Sequence, residues 1–121
     1  MSNREAIGWR PLVAVAVGGM LGTGLRLAAD LLIHQPISTL VVNVIGSLAL
    51  GYLVARVWPT ASAWLKAGLG PGLLGSFTTF SALAVILADF GVTAEGLLYL
   101  AATLVLGLGA AYTGLRWGAR R

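Results

Sequence analysis

The polar groups that could meet an ion are few in this chain, and they sit among aliphatic neighbours. Asn43 lies in the middle of TLVVNVIGS, where its amide offers two donors at a depth where polar groups are costly. Thr39, Asn43 and Ser47 recur every fourth residue, so on a helix they stack on one face. Tyr99 and Thr103 repeat that spacing later in the chain. Between these stretches comes GLLGSFTTFSAL, residues 72–83, with Ser76, Thr78, Thr79 and Ser81 set around Phe77 and Phe80. Five helix weakeners, Gly68, Gly70, Pro71, Gly72 and Gly75, fall within residues 68–75. A helix broken here exposes carbonyls at the end of one half and N–H groups at the start of the next. Carbonyls can hold a cation; N–H groups and hydroxyls can meet an anion. Amide and hydroxyl donors without an acidic residue suit a small anion, and the electron-poor edge of Phe80 attracts one weakly. The competing reading is structural: a kink whose hydroxyls bond back to the preceding turn, with the ring as packing.

The elements that must position these groups are membrane spans. The chain has 121 residues, 58% hydrophobic and 10% charged, against about 25% charged in soluble domains. Crossing the hydrocarbon takes about 20 mostly apolar residues, and four segments qualify: residues 11–33, 38–57, 65–90 (interrupted) and 94–117. The expected fold is a single all-α integral membrane domain over 1–121, with the break around Gly70 to Thr79. The first run is too long for a cleaved signal, so it reads as a retained span. Small residues four apart, Gly18 and Gly22, Ser47 and Gly51, Ala110 and Gly114, let backbones approach closely. Cysteine is absent, and the one histidine, His34, cannot build a metal cluster alone. Nucleophile–base pairs and acid pairs are also missing, which argues against an intramembrane enzyme.

The net charge of +4 has its explanation in topology and not in nucleic acid, because the basic residues form no dense block. Of eight Lys and Arg residues, Arg26 lies within the first span. The other seven, Arg4, Arg10, Arg56, Lys66, Arg116, Arg120 and Arg121, all fall on the side that carries both termini. Asp30, Asp89 and Glu95 lie near the opposite side. The positive-inside rule puts both termini in the cytoplasm of a multi-pass plasma-membrane protein.

GGMLGTGLR, STLVVNVIGSLALG and GLLGSFTTFSAL, in that order and spacing, resemble the Fluc (CrcB) fluoride channels over nearly the whole chain. The resemblance implies a four-helix subunit with a broken third helix, assembled as an antiparallel dual-topology dimer. It implies two fluoride pores, a central structural sodium ion, and passive export of fluoride. Asn43 matches the pore asparagine, and Phe80 matches the first phenylalanine of the aromatic box. Gly75 and Thr78 match the positions whose backbone carbonyls hold sodium, the glycines freeing the backbone there. Ser81, Thr39 and Tyr99 match polar pore-lining positions, and Arg26 matches the arginine after the first-span glycines.

Three positions depart from the family pattern. Ala82, Leu83 and Ile86 stand where threonine, the second phenylalanine and glutamate are usual. Leucine has no polarised ring edge, so a homodimer would have an incomplete box in each pore. The one-sided charge also commits the chain to one orientation. Both features point to an oppositely oriented paralogous partner, with a homodimer as the alternative. Two other readings compete. A non-conducting subunit would keep the fold and the sodium site. A small multidrug exporter has the same span count but needs a carboxylate inside the membrane, and Asp30 and Asp89 lie near span ends.

Overall fold

The computed structural model describes residues 8–120, so Arg4 and Arg121 of the charge argument lie outside the described residues. The chain is helical, with no strand among the described residues. It runs as α1 (Trp9–Leu32), α2 (Ile37–Arg56), α3 (Ala63–Ala67), a π-helical segment (Gly68–Leu74), α4 (Gly75–Phe77), α5 (Phe80–Phe90) and α6 (Ala94–Ala119). Four stretches are long and apolar enough to cross a membrane: Trp9–Leu32, Ile37–Arg56, Ala63–Phe90 and Ala94–Ala119. The third combines α3, the π-helical segment, α4 and α5. This is a multi-pass membrane protein.

Large apolar side chains do not form the core. Among the described residues, Val42, Leu74, Leu83 and Tyr99 are the buried hydrophobic ones, while leucines such as Leu31, Leu98 and Leu108 face outward. Lipid tails are as apolar as leucine, so helices in a membrane gain little by hiding leucines from one another. They gain from close backbone contact. α2 packs chiefly on α6, and α1 on the π-helical segment. A Cβ added at Gly51 would strike the Ala111 carbonyl oxygen, and one at Gly114 the Leu48 carbonyl oxygen. Gly18 and Gly22 meet the carbonyls of Gly68 and Leu73 in the same way. The small-residue pairs Gly18/Gly22, Ser47/Gly51 and Ala110/Gly114 thus contribute to packing within one subunit.

Local chemistry sets the corners. At Gly91 φ is +64°, where a side chain would be strained, and α5 stops there. Thr93 caps α6, its hydroxyl accepting from Gly96 N–H at 3.1 Å, with Glu95 in the first turn beside the positive helix end. Pro71 cannot donate to a helical ladder, and its ring crowds the preceding turn. The helix keeps its course by widening into π winding around that proline.

The break is shorter than the expected Gly70 to Thr79. Backbone from Gly68 to Phe77 stays helical, and Gly75 itself has φ −63° and ψ −31°. Only Thr78 (φ −79°, ψ 157°) and Thr79 (φ −148°, ψ 121°) are extended. The expectation that the glycines free the backbone is therefore corrected. Gly68 and Gly72 let the π-helical segment lie against Ala14 and Val15 of α1, whose atoms sit 3.1 Å from any added Cβ.

Candidate functional site

The break is held open by one side chain from another helix. The Asn43 amide oxygen accepts from Thr79 N–H at 2.8 Å, and its nitrogen donates to the Thr79 carbonyl at 3.0 Å. An asparagine side chain here pairs with Thr79 as a neighbouring strand would. This is the partner that an amide at membrane depth requires. One of the two amide donors remains for another acceptor. Thr79 also starts the second half: its hydroxyl accepts from Ala82 N–H at 3.1 Å and lies 3.2 Å from the Ser81 hydroxyl. The sequence reading names Thr79 only as one hydroxyl of GLLGSFTTFSAL and gives it no role of its own. A threonine directly before an apolar helix is a helix-start signal that could have singled it out.

The break leaves the carbonyls of residues 75–78 without helical N–H partners, those of Gly75 and Thr78 among them. In an unbroken helix Thr79 N–H would bond the Gly75 carbonyl, and Ala82 N–H the Thr78 carbonyl. Both donors point elsewhere, to Asn43 and to the Thr79 hydroxyl. Gly75 is exposed and Thr78 half-buried on the subunit surface. Neutral carbonyl oxygens released from a ladder are what a hard monovalent cation takes, so these residues fit sodium.

Two hollows meet at Thr79, which lines both. The first, about 570 Å³, takes in Asn43, Ser47, Thr78, Phe80, Leu83 and Thr103, and reaches Trp58 and Pro71 towards the basic end. The second, about 490 Å³, is bounded by Arg26, Asp30, Gln35, Thr39, Ser81 and Asp89 towards the acidic end. The Thr103 hydroxyl is the one buried side-chain polar atom without a hydrogen-bond partner among the described residues. Phe80 is 80% exposed on the rim of the first hollow, whereas Leu83, one helical turn on, is buried in its wall. Both hollows are open on one side, so a subunit alone does not enclose a path.

Two candidates have their hydroxyls committed within the protein. The buried Thr39 hydroxyl donates to Gln35 Oε1 at 2.7 Å, although its side chain borders the second hollow. Tyr99 donates to the Pro36 carbonyl at 2.8 Å and its ring packs at 5.9 Å from Phe90, bordering neither hollow. These two therefore brace the corner between α1 and α2 and offer no free O–H to an anion there. The same corner is tied by Asp30 Oδ1, which accepts from Gln35 Nε2 at 3.0 Å and from the buried Ser38 hydroxyl at 2.7 Å. Asn43, Phe80, Gly75 and Thr78 come together around the first hollow. Arg26 and Ser81 border the second.

The family profile described as CrcB-like protein, Camphor Resistance (CrcB), matches residues 13–115. The fluoride-specific ion channel FluC 1 of Rhodococcus jostii is 43% identical over 112 residues, covering 92% of this chain and 87% of its own. The fluoride-specific ion channel FluC 2 of Halalkalibacterium halodurans is 38% identical over 111 residues, covering 87% and 83%. The fluoride-specific ion channel FluC of Xanthomonas axonopodis pv. citri is 38% identical over 123 residues, covering 91% of each. With its four spans, a third span interrupted at Thr78–Thr79, and a match from the first span to the last, the chain belongs to the CrcB family.

Proposed function

We propose that the chain is a subunit of a passive, fluoride-selective channel, a transport protein and not an enzyme, that lowers cytoplasmic fluoride. The observation that carries this reading is the pair of hollows meeting at the Asn43–Thr79 clamp, in a chain similar throughout its length to proteins named fluoride-specific ion channels. Fluoride is small and strongly hydrated, and gives up water only for dense N–H and O–H donors. The free amide hydrogen of Asn43 supplies a donor in the first hollow; Ser81 and Arg26 supply them in the second. The ring edge of Phe80 adds weak attraction without a trapping charge. No acidic side chain borders the first hollow.

Assembly completes the path. The open sides of both hollows and the outward Phe80 fit an antiparallel dimer in which each subunit walls the other's pores. The Gly75 and Thr78 carbonyls would hold a sodium ion between the two broken helices, where it supplies a fixed positive charge. The seven basic residues of the terminal side orient this chain with its termini in the cytoplasm. Its partner is then an inverted paralogue, with a second copy of the chain as the alternative. Leu83 in the wall of the first hollow favours one further reading: the partner's pore conducts while this subunit is structural.

The test is ion release from liposomes by the chain alone and with an inverted paralogue. Fluoride should leave while chloride stays. Equal release of both ions, or release of neither in either combination, refutes the channel reading.

A further inference from the structure

The start of α1 and the short α3 enclose a groove of about 400 Å³ on the bundle surface, away from both hollows. It is lined by Trp9, Arg10, Val13, Ala14, Val17 and Trp64. We propose that this groove is a binding site for one anionic phospholipid of the leaflet at the basic end of the protein. Its walls match the two parts of such a molecule. Trp9 and Trp64 are 70% and 46% exposed, and tryptophan settles at headgroup level. From Trp9 to Val17 the groove follows α1 inward for about 12 Å at ~1.5 Å per residue, most of the ~15 Å depth of one hydrocarbon leaflet. Val13 and Val17, both about half exposed, line that descent. An acyl chain laid along them replaces bulk lipid with a fixed contact.

The charge lies at the mouth. The Arg10 guanidinium sits 5.7 Å from the Trp9 ring centre, where the ring face steadies it. Its planar fork pairs with phosphate oxygens in two parallel bonds, which an ammonium cannot do. Arg56, Lys66 and Arg116 lie at the same end. The carboxylates of the described residues, Asp30, Asp89 and Glu95, are all at the other end. A zwitterionic lipid brings its own cation into this positive field; an anionic one does not. The site depends on the chain crossing a bilayer and not on which ion it conducts.

Native mass spectrometry of the full-length protein in detergent tests this, with phosphatidylglycerol and phosphatidylcholine of identical acyl chains. Phosphatidylglycerol should be retained in preference. Arg10→Ala should weaken that retention about fivefold, the equivalent of ~1 kcal/mol per basic residue near an anionic headgroup. Val13→Trp, which fills the groove and leaves Arg10 in place, should weaken it too. Arg56→Ala removes an exposed charge from the same end and should leave it unchanged. Equal retention of the two lipids overturns the proposal. So does an equal loss in Arg56→Ala, which means general charge attraction, or an Arg10→Ala protein that loses its dimer instead of lipid, which means a second subunit covers the groove.

Discussion

Replacing Asn43 by alanine and by aspartate separates its two jobs, because the two changes damage the clamp and the path in opposite proportion. In Asn43→Ala both Thr79 groups lose their partner, whose bonds are 2.8 and 3.0 Å. Leaving a buried donor or acceptor unpaired costs about 1–3 kcal/mol, so the break loses about 2–6 kcal/mol. In Asn43→Asp the Thr79 N–H keeps its acceptor and only the carbonyl is orphaned, about half that loss. The aspartate instead places a negative charge in the first hollow. At an effective dielectric of about 20, a unit charge 4 Å from a passing anion raises its energy by about 4 kcal/mol, which slows passage roughly a thousandfold. The expected order is therefore crossed: alanine is the less stable protein, aspartate the slower channel. Melting in detergent measures the first, and fluoride efflux from liposomes at equal dimer content measures the second. If alanine lowers flux as far as aspartate does, Asn43 acts only by shaping the break. If aspartate conducts normally in an assembled dimer, Asn43 is not on the path at all.

Three further outcomes follow from other parts of the structure. Gly75→Val should leave the subunit folded, because the position is helical and the nearest atom to an added Cβ, the Gly70 carbonyl oxygen, is 3.7 Å away. It should abolish the protection that sodium gives the dimer against dissociation in detergent, and full sodium-dependent stability in the variant would remove Gly75 from the cation site. Gly114→Val should destabilise the subunit by ~2 kcal/mol or more, since overpacking costs about 1–3 kcal/mol and its Cβ would strike the Leu48 carbonyl; Gly109→Val, where an added Cβ meets nothing within 4 Å, is the control and should melt like the parent. A reporter fused to the C-terminus should show one cytoplasmic orientation, with fluoride flux requiring an inverted paralogue; comparable amounts of both orientations, with strong flux from the chain alone, would mean a dual-topology homodimer.

The spans could be read from the sequence because membrane thickness imposes a length, and length is a local property. The break was readable in kind and misplaced in extent, for reasons that are not local. Gly68 and Gly72 look like weakened helix, yet what they permit is contact with α1, some 50 residues earlier in the chain. Pro71 looks like a stop, yet a wider winding absorbs it. The actual interruption falls on two threonines that nothing in the local sequence forces to be extended. It persists because Asn43, 36 residues away, bonds both polar groups of Thr79. Spacing also placed Thr39 on one helix face with Asn43, and Tyr99 on one face with Thr103. It could not show that Gln35 and Pro36 take the hydroxyl protons of Thr39 and Tyr99, the second across 63 residues.

Phe80 and Leu83 show how the remaining ambiguity is distributed. They are one turn apart on α5, yet one points out of the subunit and the other into its wall. A large ring left 80% exposed beside a polar hollow gains nothing from its own subunit. In the proposed antiparallel dimer its use lies in the pore that the partner walls. Leucine, by contrast, packs against the hollow of the chain that carries it. In the proposed dimer a missing ring at Leu83 is therefore felt in this chain's own hollow, while Phe80 is available to the partner. An assembly of two identical chains would repeat the defect in both halves. Pairing with a chain that keeps aromatic residues at both positions confines it to one, which is the physical reason the departure at Leu83 and the one-sided charge favour the same partner.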